Sequence, residues 1–476
     1  MPTPVVTAIS PDVLLAGVAT QNVQVTGMDL NLVTALSVFQ ISPFIEQSCT
    51  ITSVIDPTTL KVTFPAMSSG ASSLGVTHAE GTYTSIVPLV YSEIVPLSGN
   101  ELTGKRVTVV SGATVNKVTF GGINGLDPIV DASGTFTTIV TPPLKAGAVT
   151  VKVYDGSGVA TTLTDQYTFS AVASKYTASM KTLLVNLKDL FNQFKVEGGW
   201  LDDVQQIKRG LRPNNVLPVI CMVPTGTSVV QRFSDGKVDL LNSITISIFT
   251  KLIDKHDAQD DVMQLEEKIK QILKYYHPIQ AGAKNTFVMA APVGQTAQTD
   301  TGLLRKASVQ IQVTTTRTQL PTSLTQSWTQ TEPVDILTTI YNTVKSYSAT
   351  DLNQVNTRMW LRGATDNIGF FPALSVILED DTTVYEWRGK DKQDRMVTFE
   401  IYDKLTSKDD SMDTVLDIVD ALMLVIWKNV HWGGTAENSD LESISYGMAD
   451  GEKGLLSVAE VRMSVASNEA VSRNQV

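Results

Sequence analysis

The feature that constrains this chain most is a long internal repeat. Residues 176–317 and 333–470 carry the same succession of apolar and polar patterns, at an offset of about 153 residues. The pair Arg209-Gly210, for example, recurs as Arg362-Gly363. Chance rarely holds one offset across six successive elements. The sequence therefore predicts two tandem copies of one module.

Each copy is predicted to contain a helix, three strands, a second helix and a final strand. Apolar residues at helical spacing open each copy. They are Met180, Leu183, Leu184, Leu187, Phe191 and Phe194 in the first copy, and Val334, Leu337, Tyr341 and Val344 in the second. Asp260 and Asp413 are predicted N-caps of the second helix. This order is typical of an α+β domain with helices on one face of an antiparallel sheet.

The residues before position 172 have a different composition. Thr, Val, Ser and Gly dominate there, and short alternating runs end at Gly or Pro turns. Examples are Val115–Phe120 and Ala148–Tyr154. We therefore predict an all-β region that divides near residue 91, and two immunoglobulin-like sandwiches, residues 1–90 and 91–172, followed by the two α+β domains.

Residues 91–172 resemble the IPT/TIG family of immunoglobulin-like domains. The matching motifs are Ser111-Gly112, Phe120-Gly121-Gly122, Thr141-Pro142 with Gly147, and Tyr167-Thr168-Phe169. The first domain opens similarly, with Ile9-Ser10-Pro11, but lacks the Phe-Gly-Gly element. The resemblance implies a spacer, decoration or adhesion role and no chemistry.

The repeated module is similar in element order and length to the phage tail-terminator and tail-completion family. That resemblance implies a virion protein, assembled in the host cytoplasm, in a homo-oligomeric ring at the neck. Its partners would be the tail tube and the head–tail connector. Three tandem chains would close a ring of six modules, and six chains would supply twelve. The alternative is a baseplate or tail-decoration protein whose β-domains bind a host surface.

The sequence predicts no enzyme and no cofactor. It contains no nucleophile elbow, no phosphate-binding loop and no His-Glu-x-x-His motif. One dense group of potential ligands, Asp254–Asp261, admits a cation site. It also precedes a helix, where carboxylates stabilise free N–H groups. The second copy lacks the histidine at this point, which favours the capping interpretation.

The net charge of the chain limits the kinds of partner that we expect. The formal net charge is −11, so we expect no face that grips phosphates and at most passing contact with genomic DNA. We expect no membrane span, no signal peptide and a buried Cys221. Residues 318–332 are predicted to be a polar linker or an arm ordered on a neighbour. The candidate subunit-interface or channel contacts are Arg209, Arg212, Arg362, Arg388 and Trp387. For the four arginines, ordinary surface charge is the alternative.

Overall fold

The structure is a computed structural model of the 476-residue chain. It describes all residues except 1–2, 42–43, 86, 88, 102–103, 112–114, 172–176, 211–215, 234–235, 252–256, 277–283, 290–294, 300–301, 319–332, 348–356, 358, 364–367, 369, 388–389, 405–411, 430, 433–435, 437, 452–453 and 470–476. The chain forms two compact units. The first comprises Met1–Val172 and Val196–Trp200, and the second comprises Ala173–Lys195 and Leu201–Val476.

The described residues at the start of the first unit form nine strands in one connected sheet. They are β1 (Val5–Ser10), β2 (Val13–Leu15), β3 (Thr20–Met28), β4 (Val33–Ile41), β5 (Phe44–Asp56), β6 (Thr59–Phe64), β7 (Gly70–His78), β8 (Gly81–Thr84) and β9 (Leu89–Ser92), with a short 3-10 helix at Leu30–Leu32. The strand order is β1-β3-β6-β5-β4-β7-β9-β2, with β8 beside β7. Val25 of β3 and Tyr91 of β9 lie far apart along this path yet share one buried core, so the sheet folds over on itself.

In the rest of the first unit, the residues that the structure describes form two sheets. The strands are β10 (Ile94–Val95), β11 (Ser98–Asn100), β12 (Arg106–Val110), β13 (Val115–Phe120), β14 (Ile123–Asn124), β15 (Leu126–Val130), β16 (Phe136–Val140), β17 (Gly147–Asp155) and β18 (Ala160–Ser170). The orders are β10-β12-β16-β15 and β11-β18-β17-β13-β14. Phe120 and Tyr167 lie between them, with ring centroids 5.5 Å apart. Gly121 and Gly122 have φ of 56° and 88°, a region that favours glycine.

The second unit contains eleven strands and four α-helices among its described residues. In chain order they are α1 (Met180–Phe194), β19 (Gln206–Arg209), β20 (Val219–Arg232), β21 (Lys237–Lys251), α2 (Asp257–Tyr275), β22 (Asn285–Met289), β23 (Gln295–Thr299), β24 (Gly302–Thr318), α3 (Pro333–Ser346), β25 (Met359–Arg362), β26 (Ala373–Trp387), β27 (Lys390–Lys404), α4 (Asp413–Lys428), β28 (Asn438–Gly451) and β29 (Gly454–Glu469).

All eleven strands of this unit belong to one sheet. Its order is β22-β24-β21-β20-β28-β29-β27-β26-β25, with β19 beside β20 and β23 beside β24. The sheet is mixed, because β19 runs parallel to β20 and β25 runs parallel to β26. The two repeats meet where β20 pairs antiparallel with β28 through Gly226–Ser228 and Ser443–Ser445.

The predicted fold class, two immunoglobulin-like sandwiches followed by two tandem α+β domains, is therefore wrong. The chain is mostly β. Its first nine strands form one connected sheet, and both repeats share one mixed sheet instead of forming two antiparallel ones. The physical reason is that residue alternation fixes which face of a strand is buried but leaves its edge partner undetermined.

The recurring Arg-Gly pair has a common backbone function in both repeats. Gly210 and Gly363 have φ of 111° and 91°, which side chains rarely tolerate. Their N–H groups donate to the carbonyls of Met222 and Val376, at 2.9 and 2.8 Å. Each glycine thus ends a short parallel strand and ties the chain to the strand beside it.

The opening helices of the repeats fit the predicted amphipathic patterns unequally. In α1 all six predicted apolar residues are buried, which confirms that face, and the Ser179 side chain caps the helix by accepting from Thr182 N–H. In α3 the most buried residues include Ile336 and Ile340, which the predicted face omitted. Leu337 is only partly buried against the same core. None of the described helices is long and apolar enough to span a membrane.

Candidate functional site

The candidate site of the second unit is the junction of the repeats, where both polar and apolar side chains of distant parts of the chain meet. We call it the inter-repeat joint and define it by β20, β28 and the facing helices α1 and α4, which pack together. Side chains of the neighbouring strands β19, β21 and β24 also contribute to it. The backbone pairs and ion pairs that define the joint link the first repeat to the second.

An ion-pair network lies along the α1–α4 contact. Arg209 Nη1 lies 3.1 Å from Asp413 Oδ1, and the Arg209 side chain is only 9% exposed. Lys181 Nζ donates to both carboxylate oxygens of Asp417, at 2.8 and 2.7 Å, and lies 3.9 Å from Asp413 Oδ2. Since the Arg209 guanidinium is buried, removing it from its pair with Asp413 costs more than removing one partner of an exposed pair.

A third carboxylate of α4 pairs with the last strand of the first repeat. Arg317 Nη2 lies 3.0 Å from Asp420 Oδ1. Burial raises the pKa of Asp420, and the Arg317 guanidinium opposes that rise. Burial also raises the pKa of Tyr446 on β28, and the charge of Asp420 adds to that effect. The ionised form of Asp420 is therefore disfavoured at this point of the joint.

An apolar contact lies beside the charges. Val238 and Leu240 of β21, in the first repeat, belong to the core cluster of the second repeat, and Val229 of β20 packs against it. Val238 and Leu240 are 1% and 2% exposed. Arg232 of β20 closes the edge, because it forms an ion pair with Asp440 and Nη2 donates to the Leu441 carbonyl at 3.0 Å. The first repeat thus completes the core of the second.

The five predicted contact residues have different environments. Arg209 lies in the joint, within one chain, while Arg362 is exposed and donates to Thr338 Oγ1 at 3.0 Å. Trp387 ends β26, where its backbone pairs with Lys390. Arg212 and Arg388 lie outside the described residues. Sequence reasoning grouped Arg209 and Arg362 as equivalents, and the structure gives them different surroundings.

The acidic partners in the joint were not identified from the sequence. Asp413 was predicted to cap α4, but Met412 holds the cap position and Asp413 is the first helical residue. Likewise Asp260 lies within α2, which begins at Asp257. Asp413, Asp417 and Asp420 recur at helical spacing on a helix that is otherwise mainly apolar. That spacing was the available signal for a polar contact surface on α4.

Two expected core residues are confirmed. Trp427 is 4% exposed within the core of the second repeat, and Cys221 is fully buried in an apolar cluster of the first. Trp432 is also fully buried, and its indole N–H donates to Ser439 Oγ at 2.9 Å. Trp432 therefore reports on the interior of the second repeat.

The described residues contain no group of three or more His, Cys, Asp or Glu side chains placed to hold a metal ion. Of the predicted ligand group Asp254–Asp261, residues 254–256 lie outside the described part of the chain. A groove of about 450 Å³ adjoins the same helix. It is lined by Asp202, Asp203, Gln205, Pro218, Asp261, Gln264, Leu265 and Lys268. These side chains include no histidine, cysteine or serine that could act as a nucleophile beside a base.

The raised pKa of Asp420 predicts a pH effect on the joint. The folded state binds this proton more tightly than the unfolded chain, so its contribution to stability grows as pH falls from neutral toward the ordinary value of 3.8. In Asp420→Asn that gain is absent. We expect the variant to be at least as stable as wild type at pH 8 and to lose this advantage at pH 5, measured by urea unfolding.

Asp417→Asn is the matched control, because it removes the same charge from the same helix at a position that is 42% exposed. Its stability should differ from wild type by about 0–1 kcal/mol, as for an exposed ion pair. An advantage of Asp420→Asn that grows on acidification would contradict the assigned environment of Asp420.

Comparisons with known proteins do not assign the chain to a family. No protein-family model and no curated protein matches it. The extracellular region of plexin A4 aligns at 15% identity and a TM-score of 0.18, over 35% of this chain and 18% of that one. SGBP-B of a Bacteroides ovatus mixed-linkage glucan utilization locus, solved with a mixed-linkage heptasaccharide, aligns at 14% identity and a TM-score of 0.23, over 66% and 76%.

A second SGBP-B, from a complex xyloglucan utilization locus in Bacteroides uniformis, aligns at 13% identity. Its TM-score is 0.15, over 53% of this chain and 68% of that one. TM-scores of this size do not establish a shared fold. They carry no information about what this chain binds.

Proposed function

We propose that the chain is a structural, non-catalytic assembly subunit that forms a ring of tandem modules at a phage neck. The observation that carries the proposal is the inter-repeat joint, in which two modules extend one sheet edge to edge. Such a contact joins two different edges and can therefore be repeated from chain to chain. The first unit is a β-rich attachment that would decorate the ring.

The phage assignment within this proposal is supported by the element order of the repeats and by the β-rich first unit. The acidic net charge of −11 suits a ring through which DNA passes without being held. The partners would then be the tail tube and the head–tail connector. Host-surface binding by the first unit at a baseplate is the alternative role.

The test is the oligomeric state and position of the intact chain. We expect electron microscopy of the purified full-length protein to show closed rings of three or six chains. In particles that contain it, a tag at the first unit should lie at the head–tail junction. A tag at the distal tail tip would favour the baseplate role, and a chain that stays monomeric at all concentrations would overturn the ring.

A further inference from the structure

The inter-repeat joint uses a different edge of each repeat. The first repeat contributes the outer edge of β20, and the second contributes the outer edge of β28. The opposite edge of each repeat remains at an end of the eleven-stranded sheet. One end of the sheet carries β22, and the other carries β25 and β26. The end with β22 corresponds to the β28 edge of the joint, and the end with β26 corresponds to the β20 edge.

The equivalence of β22 and β28 follows from strand register. Val288 of β22 lies opposite Ile311, and Leu441 of β28 lies opposite Met463, on the matching final strands of the two repeats. In the joint, β28 pairs on its other side with β20. No described strand pairs with the other side of β22. The free edge of β22 in the first repeat is therefore equivalent to the edge of β28 that the second repeat contributes to the joint.

The equivalence of β26 and β20 follows in the same way. A short parallel strand covers only the start of each, so that β19 covers Val219–Met222 and β25 covers Ala373–Val376. Beyond that point β20 accepts β28, whereas no described strand pairs with the outer edge of β26. The free edge of β26 in the second repeat is therefore equivalent to the edge of β20 that the first repeat contributes to the joint.

The equivalent helices α4 and α2 differ in the same way: one face is buried on α4 and exposed on α2. The buried faces of α2 and α4 correspond, because Val262 and Val415 are equivalent and both fully buried. On the neighbouring face, Leu416 of α4 is 1% exposed, whereas its equivalent Met263 on α2 is 46% exposed. Asp260 is also exposed. The face of α2 that is equivalent to the joint face of α4 is therefore exposed.

Charge is complementary between the two ends. The buried joint pair Arg209–Asp413 has its equivalents in Arg362, at one end of the sheet, and Asp260, at the other. Both equivalents are exposed. Apolar side chains accompany them, since Phe287 on β22 is 56% exposed and Phe370 beside β26 is 68% exposed. An exposed apolar edge of this kind is a site for strand addition.

We propose that these ends dock head to tail, with the β26–α3 end of one chain receiving the β22–α2 end of a second copy. Arg362 of the first copy then faces Asp260 of the second, as Arg209 faces Asp413 within one chain. This inference rests on the proposed ring function and specifies the surfaces that form the ring. Repetition of one such contact gives a closed ring if the rotation between neighbouring chains brings the last chain back to the first. Otherwise it gives an open filament.

The contact between chains is weaker than the joint within a chain. The joint contains Val238 and Leu240, whereas the positions one repeat later in the sequence hold Asp391 and Gln393. Less apolar area is therefore removed from water when two chains meet. The chain keeps its two repeats together permanently and binds further copies reversibly.

The test is a charge exchange in the full-length chain, followed by sedimentation velocity. Asp260→Arg and Arg362→Asp each place like charges against each other, and each should weaken self-association at least tenfold. The double variant restores an opposite-charge pair and should recover most of the wild-type association. Asp261→Arg, at the adjacent exposed position on α2, is the matched control and should associate like wild type.

A second measurement guards against effects on folding. In a Cys49→Ser background, a chain with both Asp260→Cys and Arg362→Cys should give a ladder of covalent multimers with a short bismaleimide. Either cysteine alone should give no ladder. A wild-type chain that never associates overturns the proposed ring itself. Association that survives both charge reversals and gives no ladder overturns only these docking surfaces.

Discussion

Arg209→Ala is expected to lower the free energy of unfolding of the second unit by about 3 kcal/mol. That value is at the lower end of the cost of removing one partner from a buried ion pair. The Arg209 side chain is 9% exposed and that of Asp413 is 24% exposed, so the substitution removes the buried partner of a half-buried carboxylate. Lys181, 3.9 Å from the other oxygen of Asp413, compensates in part. The measurement is urea unfolding followed by tryptophan fluorescence, to which the buried Trp427 and Trp432 contribute.

Arg362→Ala is the matched control, because Arg362 occupies the same position in the second repeat. Its side chain is exposed and donates to Thr338, so the substitution should change stability by less than about 0.5 kcal/mol in the monomeric state. The contrast between two equivalent arginines isolates the effect of the joint. Equal losses in the two variants would show that burial in the joint does not decide the role of Arg209.

The sequence was informative about several features that depend on one element alone. The apolar face of α1 and the burial of Trp427 followed from helical spacing alone. The Arg-Gly pairs marked two positions where the backbone requires glycine. Each of these features depends on residues close together in the chain, which is why a single sequence can reveal them.

The joint depends on which edges meet, and residue patterns do not encode that. Thr227 and Ile444 become neighbours across β20 and β28 although nothing in either strand specifies the other. The same limitation affected the acidic face of α4. Asp413 resembled a helix cap because its partner Arg209, about 200 residues earlier, could not be assigned from the sequence. Long-range pairing is thus the part of this site that required the structure.

The two repeats differ at equivalent positions that lie in the joint in one repeat and on an exposed surface in the other. Leu416 is 1% exposed, whereas its equivalent Met263 is 46% exposed. Asp440 pairs with Arg232 across the joint, whereas its equivalent Phe287 is 56% exposed. A module that served only as a duplicate core would not need apolar residues on its uncovered face. Their presence on the bare edge is the reason to assign that edge a partner.

Leu240→Ala is expected to destabilise the second unit by about 3 kcal/mol, within the range for a fully buried leucine. Leu240 lies on β21 of the first repeat but packs in the core of the second. The truncation leaves a cavity between the repeats, so the loss should be felt across the joint. Hydrogen exchange should show reduced protection of amides in α3 and α4, in addition to those of β21.

Leu241→Ala, the next residue on the same strand, is the control. Leu241 points to the opposite face and is only partly buried, so its truncation should cost clearly less and leave α4 protected. If Leu240→Ala weakened protection in β20 and β21 alone, the repeats would be independent cores joined only by charges and three backbone pairs. Loss of α4 protection instead means that the first repeat supplies part of the second repeat's interior, and that neither repeat is a complete folding unit.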